Sequence, residues 1–301
     1  MENEIQTEIK TENCESTGKV KCLNCGTEFE GKFCPECGQS AKTGRYTMRF
    51  IFENLMEDFI GKDDSVGRTL KNLFTRPGAM IVELISGKRR KYFSPFPMFF
   101  CVITVYLLIA SVTGSREEFN MSKASVELTE NDSIPSTIVV GDEETTLNEK
   151  QTSAALYIYN YLYKSIQLYY DYFTVFLLLT LPILVFSARA CYGKRNRKKY
   201  YWAEYTVAIV YSMVMFFLYH CIVSLVYLFS PSFAEQMTSL LLEPVLIAVA
   251  LTACFHKMMG YNLFSTFARS FLASILYYLI IYTVILIAVV ILGINIYYKF
   301  Q

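Results

Sequence analysis

Histidine is almost missing from this chain: His220 and His256 are the whole supply in 301 residues. Two histidines so far apart in sequence argue against a histidine-based catalytic metal centre. Charge is also scarce. Charged residues make up 18%, against about 25% in ordinary soluble domains, while apolar residues reach 53% and aromatics 16%. The opening MENEIQTEIK lacks both a basic stretch and an apolar core, so no secretory signal is apparent and the N-terminus is expected in the cytoplasm. The patterns G-x-x-x-x-G-K-[ST], H-E-x-x-H and G-x-S-x-G are absent. No enzymatic activity is expected, and a net charge of +1 conceals strong segregation of charge along the chain.

Cysteine is present in two distributions. Cys101, Cys191, Cys221 and Cys254 lie singly in apolar runs, where cysteine behaves as a small hydrophobe, and Cys14 lies in a polar tail. Cys22, Cys25, Cys34 and Cys37 instead form two CxxCG units in CLNCGTEFEGKFCPECG. In a reducing compartment such a cluster points to metal rather than disulfides. Four thiolates close the tetrahedral shell of one structural zinc and leave no position to activate water. A rubredoxin-like iron and a redox dithiol are the alternatives. The short gap between Cys25 and Cys34 predicts a tight hairpin over EFEGKF turning near Gly31, with Phe29 and Phe33 covering the metal. Lys19, Lys21, Lys32 and Lys42 are too few for a nucleic-acid reader, so a protein partner is expected and no nucleic acid.

The domain plan reads as follows: a disordered acidic tail over 1–18, a zinc ribbon over 19–42, basic amphipathic juxtamembrane helices over 43–94, and a transmembrane domain over 95–301. The fold class is an all-α polytopic membrane protein with a small N-terminal β-hairpin module. In the juxtamembrane part, Met48, Ile51, Phe52, Leu55, Met56 and Phe59 fall at helical spacing, a second helix is predicted over Val66–Phe74, and a third from Pro77 to just before Gly87. Residues 42–91 hold 11 Lys/Arg against 6 Asp/Glu. Spans of about 20 apolar residues are predicted near 96–112, 172–190, 202–228, 240–255 and 271–297. The fourth, broken early by Glu243 and Pro244, could be re-entrant, which would reverse the side of the C-terminus.

Orientation follows from the basic segments. Lys88, Arg89, Arg90 and Lys91 precede the first span, Lys194, Arg195, Arg197, Lys198 and Lys199 join the second to the third, and Lys257 and Arg269 follow the fourth. Residues 114–152 carry 9 Asp/Glu and 3 Lys/Arg. Positive loops stay inside, so the cysteine module is expected inside, the acidic loop and C-terminus outside, and the basic runs against an anionic inner leaflet. The tyrosine-rich ALYIYNYLYKSIQLYYDYF predicts an interfacial helix feeding the second span; a tyrosine-lined cleft, and with it a lipid-modifying enzyme, is the alternative.

Ionisable groups at membrane depth suggest function by default. Asp171, Glu204 and His256 fall near span ends, where interfacial water is expected to solvate them. His220 and Glu243 could meet at one depth near the outer edge, as a His–Glu pair or a proton-linked site.

The order CxNCG…GxFCPxCGQ, TRPG and GKRRKYFSPFP resembles an uncharacterised bacterial family of polytopic membrane proteins with an N-terminal zinc ribbon, domain of unknown function family 3667. The resemblance runs through Cys22, Cys25, Cys34, Cys37, Pro77, Gly78, Gly87, Lys88, Arg89, Tyr92 and Pro95 and fades after residue 100. It implies architecture and brings no activity. The expectation is a non-enzymatic membrane adaptor or sensor of the bacterial cytoplasmic membrane; the alternative is a small permease with a polar site at His220 and Glu243, which with five spans would need to form a homo-oligomer.

Overall fold

The apolar runs become helices in the computed structural model of the protein, which describes residues 19–49, 51, 63–113, 137–140, 143–146, 172–230 and 242–300. Two short strands, β1 (Lys19–Lys21) and β2 (Glu28–Glu30), pair antiparallel with Val20 opposite Phe29. Helices α1 (Asp63–Thr75) and α2 (Pro77–Ile85) follow, close to their predicted bounds, with Pro77 in a first turn that has no use for its N–H. Then come α3 (Pro95–Thr113), the strands β3 (Thr137–Val140) and β4 (Glu143–Thr146), and α4 (Phe173–Cys191). The chain closes with α5 (Gly193–Lys199), α6 (Trp202–Tyr227), α7 (Glu243–Met259) and α8 (Leu263–Phe300).

Among the described residues, four helices are long and apolar enough to cross a membrane: Pro95–Thr113, Thr174–Cys191, Trp202–Tyr227 and Leu263–Asn295. Such a set is consistent with a multi-pass membrane protein. The run predicted at 240–255 becomes α7, which has 17 residues, about 25 Å of helix; it is not among those four and stands at the lower end of the lengths that can span a bilayer. Its ends are well marked, by Pro244 in the first turn and by Gly260 at φ 69° after the last. Rather than facing outward, α7 packs between α6, α8 and α2, burying Ala248, Leu251, Cys254 and Phe255 completely. The last helix begins earlier than the predicted 271. Asn262 caps it, its Oδ1 accepting from the Ser265 N–H at 3.2 Å, and the extra turns carry Arg269 onto the Cys191 carbonyl at 2.8 Å.

Helix α6 is the centre of the bundle and meets α3, α4 and α7. Near its start lies a layer of buried aromatics: Tyr192 stacks on Phe255 with centroids 5.1 Å apart and shares a 2.6 Å hydrogen bond with Ser270, and Tyr205 lies beside the same Phe255. Helix α2 crosses α7 so closely that a Cβ on Gly78 would sit 2.9 Å from the Lys257 Cβ and 3.2 Å from two carbonyl oxygens. That contact explains the glycine of TRPG. In the acidic loop β3 and β4 form a hairpin that the sequence reading missed, although β-branched TIVV and a Gly-Asp pair were its signal. The tail 1–18, most of the predicted helix over 48–59, Asp171 and the tyrosine-rich stretch before α4 lie outside the described residues.

Candidate metal centre

The thiols of Cys22, Cys25, Cys34 and Cys37 all lie within 4.8 Å of one another, with Cys22–Cys37 and Cys25–Cys34 sulfur separations of 3.5 Å. Zn–S bonds of about 2.3 Å in a tetrahedron require sulfurs about 3.8 Å apart, so the four fit a zinc-type ion. The two CxxCG units build the cage by the same backbone pattern. Gly26 donates to the Cys22 carbonyl at 2.9 Å and Cys22 to the Thr27 carbonyl at 2.9 Å; Gly38 donates to the Cys34 carbonyl at 2.8 Å and Cys34 to the Gln39 carbonyl at 2.9 Å. Both turns need a positive φ at the glycine, 83° at Gly26 and 69° at Gly38. The thiols differ in acidity. Hydrogen bonds with Thr27 hold Cys25 down at about 6, while burial pushes Cys37 up to about 11. A bound cation would be needed to make all four thiolates at once.

Two expectations about this module are corrected. The hairpin is not EFEGKF turning at Gly31; β1 and β2 flank the first CxxCG unit, and Gly31, at φ 113°, leads into the second. Phe29 is buried against Cys22 and Cys34 as expected, but Phe33 does not cover the metal site: it is 65% exposed. In an extended segment side chains alternate between faces, and Phe33 pairs with Ser40 in a lone bridge that turns it outward.

The module is docked on the loop that follows α2. Gln39, almost fully buried, donates from Nε2 to the Gly87 carbonyl at 2.9 Å, and its Oε1 accepts from the Arg89 and Arg90 N–H groups at 3.2 and 3.3 Å. Arg90 Nε donates to the Cys37 carbonyl at 3.1 Å. Arg89 donates to the Gly44 carbonyl and lies 4.1 Å over the Tyr46 ring. Gly87 is fixed for two reasons: φ is 111°, and a Cβ there would sit 2.7 Å from Leu23 Cδ1. Lys91 donates to Glu83 at 2.6 Å, and Tyr92 to the same carboxylate at 2.8 Å. Arg89, Arg90 and Lys91 of the basic run therefore have protein partners.

A second attachment joins the module to α6. Arg45 donates from Nε and Nη2 to the two oxygens of Glu204, at 2.9 and 2.8 Å, and from Nη2 to the Lys199 carbonyl at 2.9 Å. Glu204 is completely buried and also accepts from the Tyr201 N–H at 2.8 Å, satisfying a backbone donor at the start of α6. Interfacial water was the expected partner of Glu204; an arginine 159 residues away takes that place. No local pattern marks Arg45 in AKTGRYT, so sequence reasoning passed over it, and over Gln39.

Residues 63–107 match a family described as Protein of unknown function (DUF3667). No curated protein and no solved structure matches the chain. The matched stretch holds α1, α2, the docking loop with Gly87 to Tyr92, and most of α3, whereas the four cysteines lie before it. The similarity thus covers the receiving surface rather than the cage.

Among the other basic residues, Lys194, Arg195, Arg197, Lys198 and Lys199 all fall on α5, at the same end of the bundle as the module. Arg189 binds the Tyr200 and Arg197 carbonyls, both at 2.9 Å, and lies over Trp202. His256 sits half-buried in the last turn of α7. His220 and Glu243 come together at the opposite end of the bundle, Nε2 to Oε1 at 3.5 Å.

Proposed function

We propose that the protein is a non-enzymatic adaptor or sensor of the bacterial cytoplasmic membrane, with a structural-zinc ribbon held as a rigid head on the cytoplasmic face. In this reading the bundle and α7 together cross the membrane five times, and the basic residues of α5 and Lys88 face an anionic inner leaflet. The observation that carries the reading is the docked head with an exposed aromatic: Gln39, Arg90 and Arg45 fix the module, and Phe33 is left 65% exposed at its surface. A large exposed aromatic on a rigid support is the usual anchor of a protein contact. A closed cage with four sulfur ligands supports recognition rather than hydrolysis.

Mild crosslinking followed by affinity capture tests it, comparing wild type, Cys34→Ser and Phe33→Ala. The expected result is a protein partner lost in both variants, with Phe33→Ala retaining zinc at the wild-type stoichiometry. Identical captured sets in all three would overturn the reading. A permease is the second reading, favoured only by the meeting of His220 with Glu243. Its test is substrate flux in proteoliposomes that disappears in both His220→Ala and Glu243→Gln.

A further inference from the structure

His220 on α6 and Glu243 at the head of α7 face each other far from the metal centre. His220 lies fifteen residues beyond Tyr205, about 22 Å along α6, in an otherwise apolar stretch. The 3.5 Å separation of Nε2 and Oε1 is that of an ion pair and longer than an N–H···O hydrogen bond. His220 is 9% exposed, and its Nε2 has no hydrogen-bond partner. Rings enclose the imidazole: Phe216 with centroids 4.4 Å apart, Tyr219 at 5.5 Å, Tyr106 at 6.0 Å and Phe217 at 6.4 Å. Among the described residues, the titratable groups facing the pair are Tyr106 from α3, Tyr219 from α6 itself, and Tyr277 and Tyr278 from α8, the last beside Glu243. The described residues supply hydroxyls here and no second charge.

We propose that His220 and Glu243 together form a binding site for a single proton inside the membrane domain, with the imidazole and the carboxylate as its two carriers. Four protonation states are available to the pair. Neutral imidazole with carboxylic acid, and imidazolium with carboxylate, hold the same number of protons and leave no net charge. Removing that proton leaves a lone carboxylate among aromatic rings, and adding a second leaves a lone imidazolium. Each of those states carries the desolvation penalty of an unpaired ion away from water. The pair is therefore held at one proton, titrating as a unit rather than as two independent groups. Because the proton ties α6 to α7, with α3 packed on α6 and α8 packed on α7, its loss would loosen the joint through which the four helices are linked.

With two histidines in the chain, His256→Asn leaves one imidazole to observe. The experiment records the ¹⁵N imidazole spectrum of His220 from pH 5 to pH 8 in the His256→Asn protein in liposomes, with and without Glu243→Gln. The expected result is a spectrum that stays flat where a free imidazole would titrate, near 6.5, and shifts when Glu243→Gln is added. Titration near 6.5 with Glu243 present, or superimposable spectra with and without Glu243→Gln, would overturn the proposal. Should Glu243→Gln fail to fold, Glu243→Asp, which keeps the carboxyl and shortens its reach, is read in its place: a shifted imidazole spectrum supports a proton shared by the pair, and one superimposable on that of the Glu243 protein sinks it.

Discussion

Glu204 and Glu243 hold nearly the same place in two neighbouring helices and live in different worlds. Both sit in a first turn, Glu204 in α6 and Glu243 in α7, where the helix dipole favours a carboxylate. Glu204 is completely buried, yet takes both arms of the Arg45 fork and a backbone N–H. Among the described residues Glu243 has only Tyr278 beside it and an imidazole beyond ordinary hydrogen-bond range. A fully satisfied carboxylate in a bidentate pair is a fixed joint. A half-satisfied one needs a proton to stand in for the partners it lacks. The end of the bundle that receives the cysteine module is thus built to stay, and the other end carries the chemistry free to change.

Metal removal should break this contrast most forcefully. A module with β1, β2 and little core besides Phe29 depends on its cage for order. Chelation or Cys34→Ser should forfeit metal-binding energy on the order of 10 kcal/mol and expose the amides of Cys34, Gly38 and Ala41 to hydrogen exchange. Faster exchange should spread through Gln39 to residues 87–90, while the amides around His220 keep their protection. Uniform loss across both ends would mean that they are not separate.

Next in size is Arg45→Ala, which leaves Glu204 buried without its counter-charge. The expected loss is about 3 kcal/mol, the lower part of the range for breaking a buried pair, because Arg45 keeps some contact with solvent. Equilibrium unfolding in detergent would measure it, and Arg45→Ala with Glu204→Ala should recover part of the loss. His220→Ala should cost less than Arg45→Ala, since Glu243 can take up a proton and keep Tyr278. Equal losses would erase the distinction between the two glutamates. Smaller again is Gly87→Ala, about 2 kcal/mol, where a Cβ meets both a positive φ and Leu23. Its signature would be a head that detaches while the four cysteines keep their capacity to bind metal.

What could be read in advance was whatever has a local signature. The cage residues were legible because two CxxCG units repeat one turn within seventeen residues, and the long helices because a helix apolar nearly all round leaves a composition trace. The helix start at Pro77 was legible from proline, whereas Glu243 and Pro244, read as a break in a run from 240, are where α7 begins. The attachments were not. Gln39, Arg45 and Glu204 are each ordinary in their own neighbourhood and gain meaning only when the fold brings positions 45 and 204 together. Phe33 was misplaced because strand alternation decides its direction, and the register of so short a bridge leaves no pattern. The basic run was visible as charge, but charge alone does not say that the carbonyl of Cys37 will bind Arg90.

The smallest predicted effect lies between the two glutamates in character, at Glu83. Lys91 donates to it at 2.6 Å, Tyr92 at 2.8 Å, and Arg76 stands 3.8 Å away. The Lys91 hydrogen bond leads in holding the Glu83 carboxyl below the ordinary range, and Glu83 in turn raises Lys91. A depressed carboxylate contributes stability at pH above its unfolded value, about 4.3, and that contribution disappears as pH falls through the folded value below it. The raised lysine contributes below about 10.4 and loses its part as pH climbs past its folded value. Between these limits the pair should be worth about 1 kcal/mol, as for a partly exposed ion pair. Glu83→Gln should therefore unfold more easily than wild type at pH 7, and the gap should narrow steadily as the titration proceeds below pH 4. A gap of constant size into acid would show that Glu83 holds the docking loop by packing of its chain and the Tyr92 hydrogen bond, with no help from its charge.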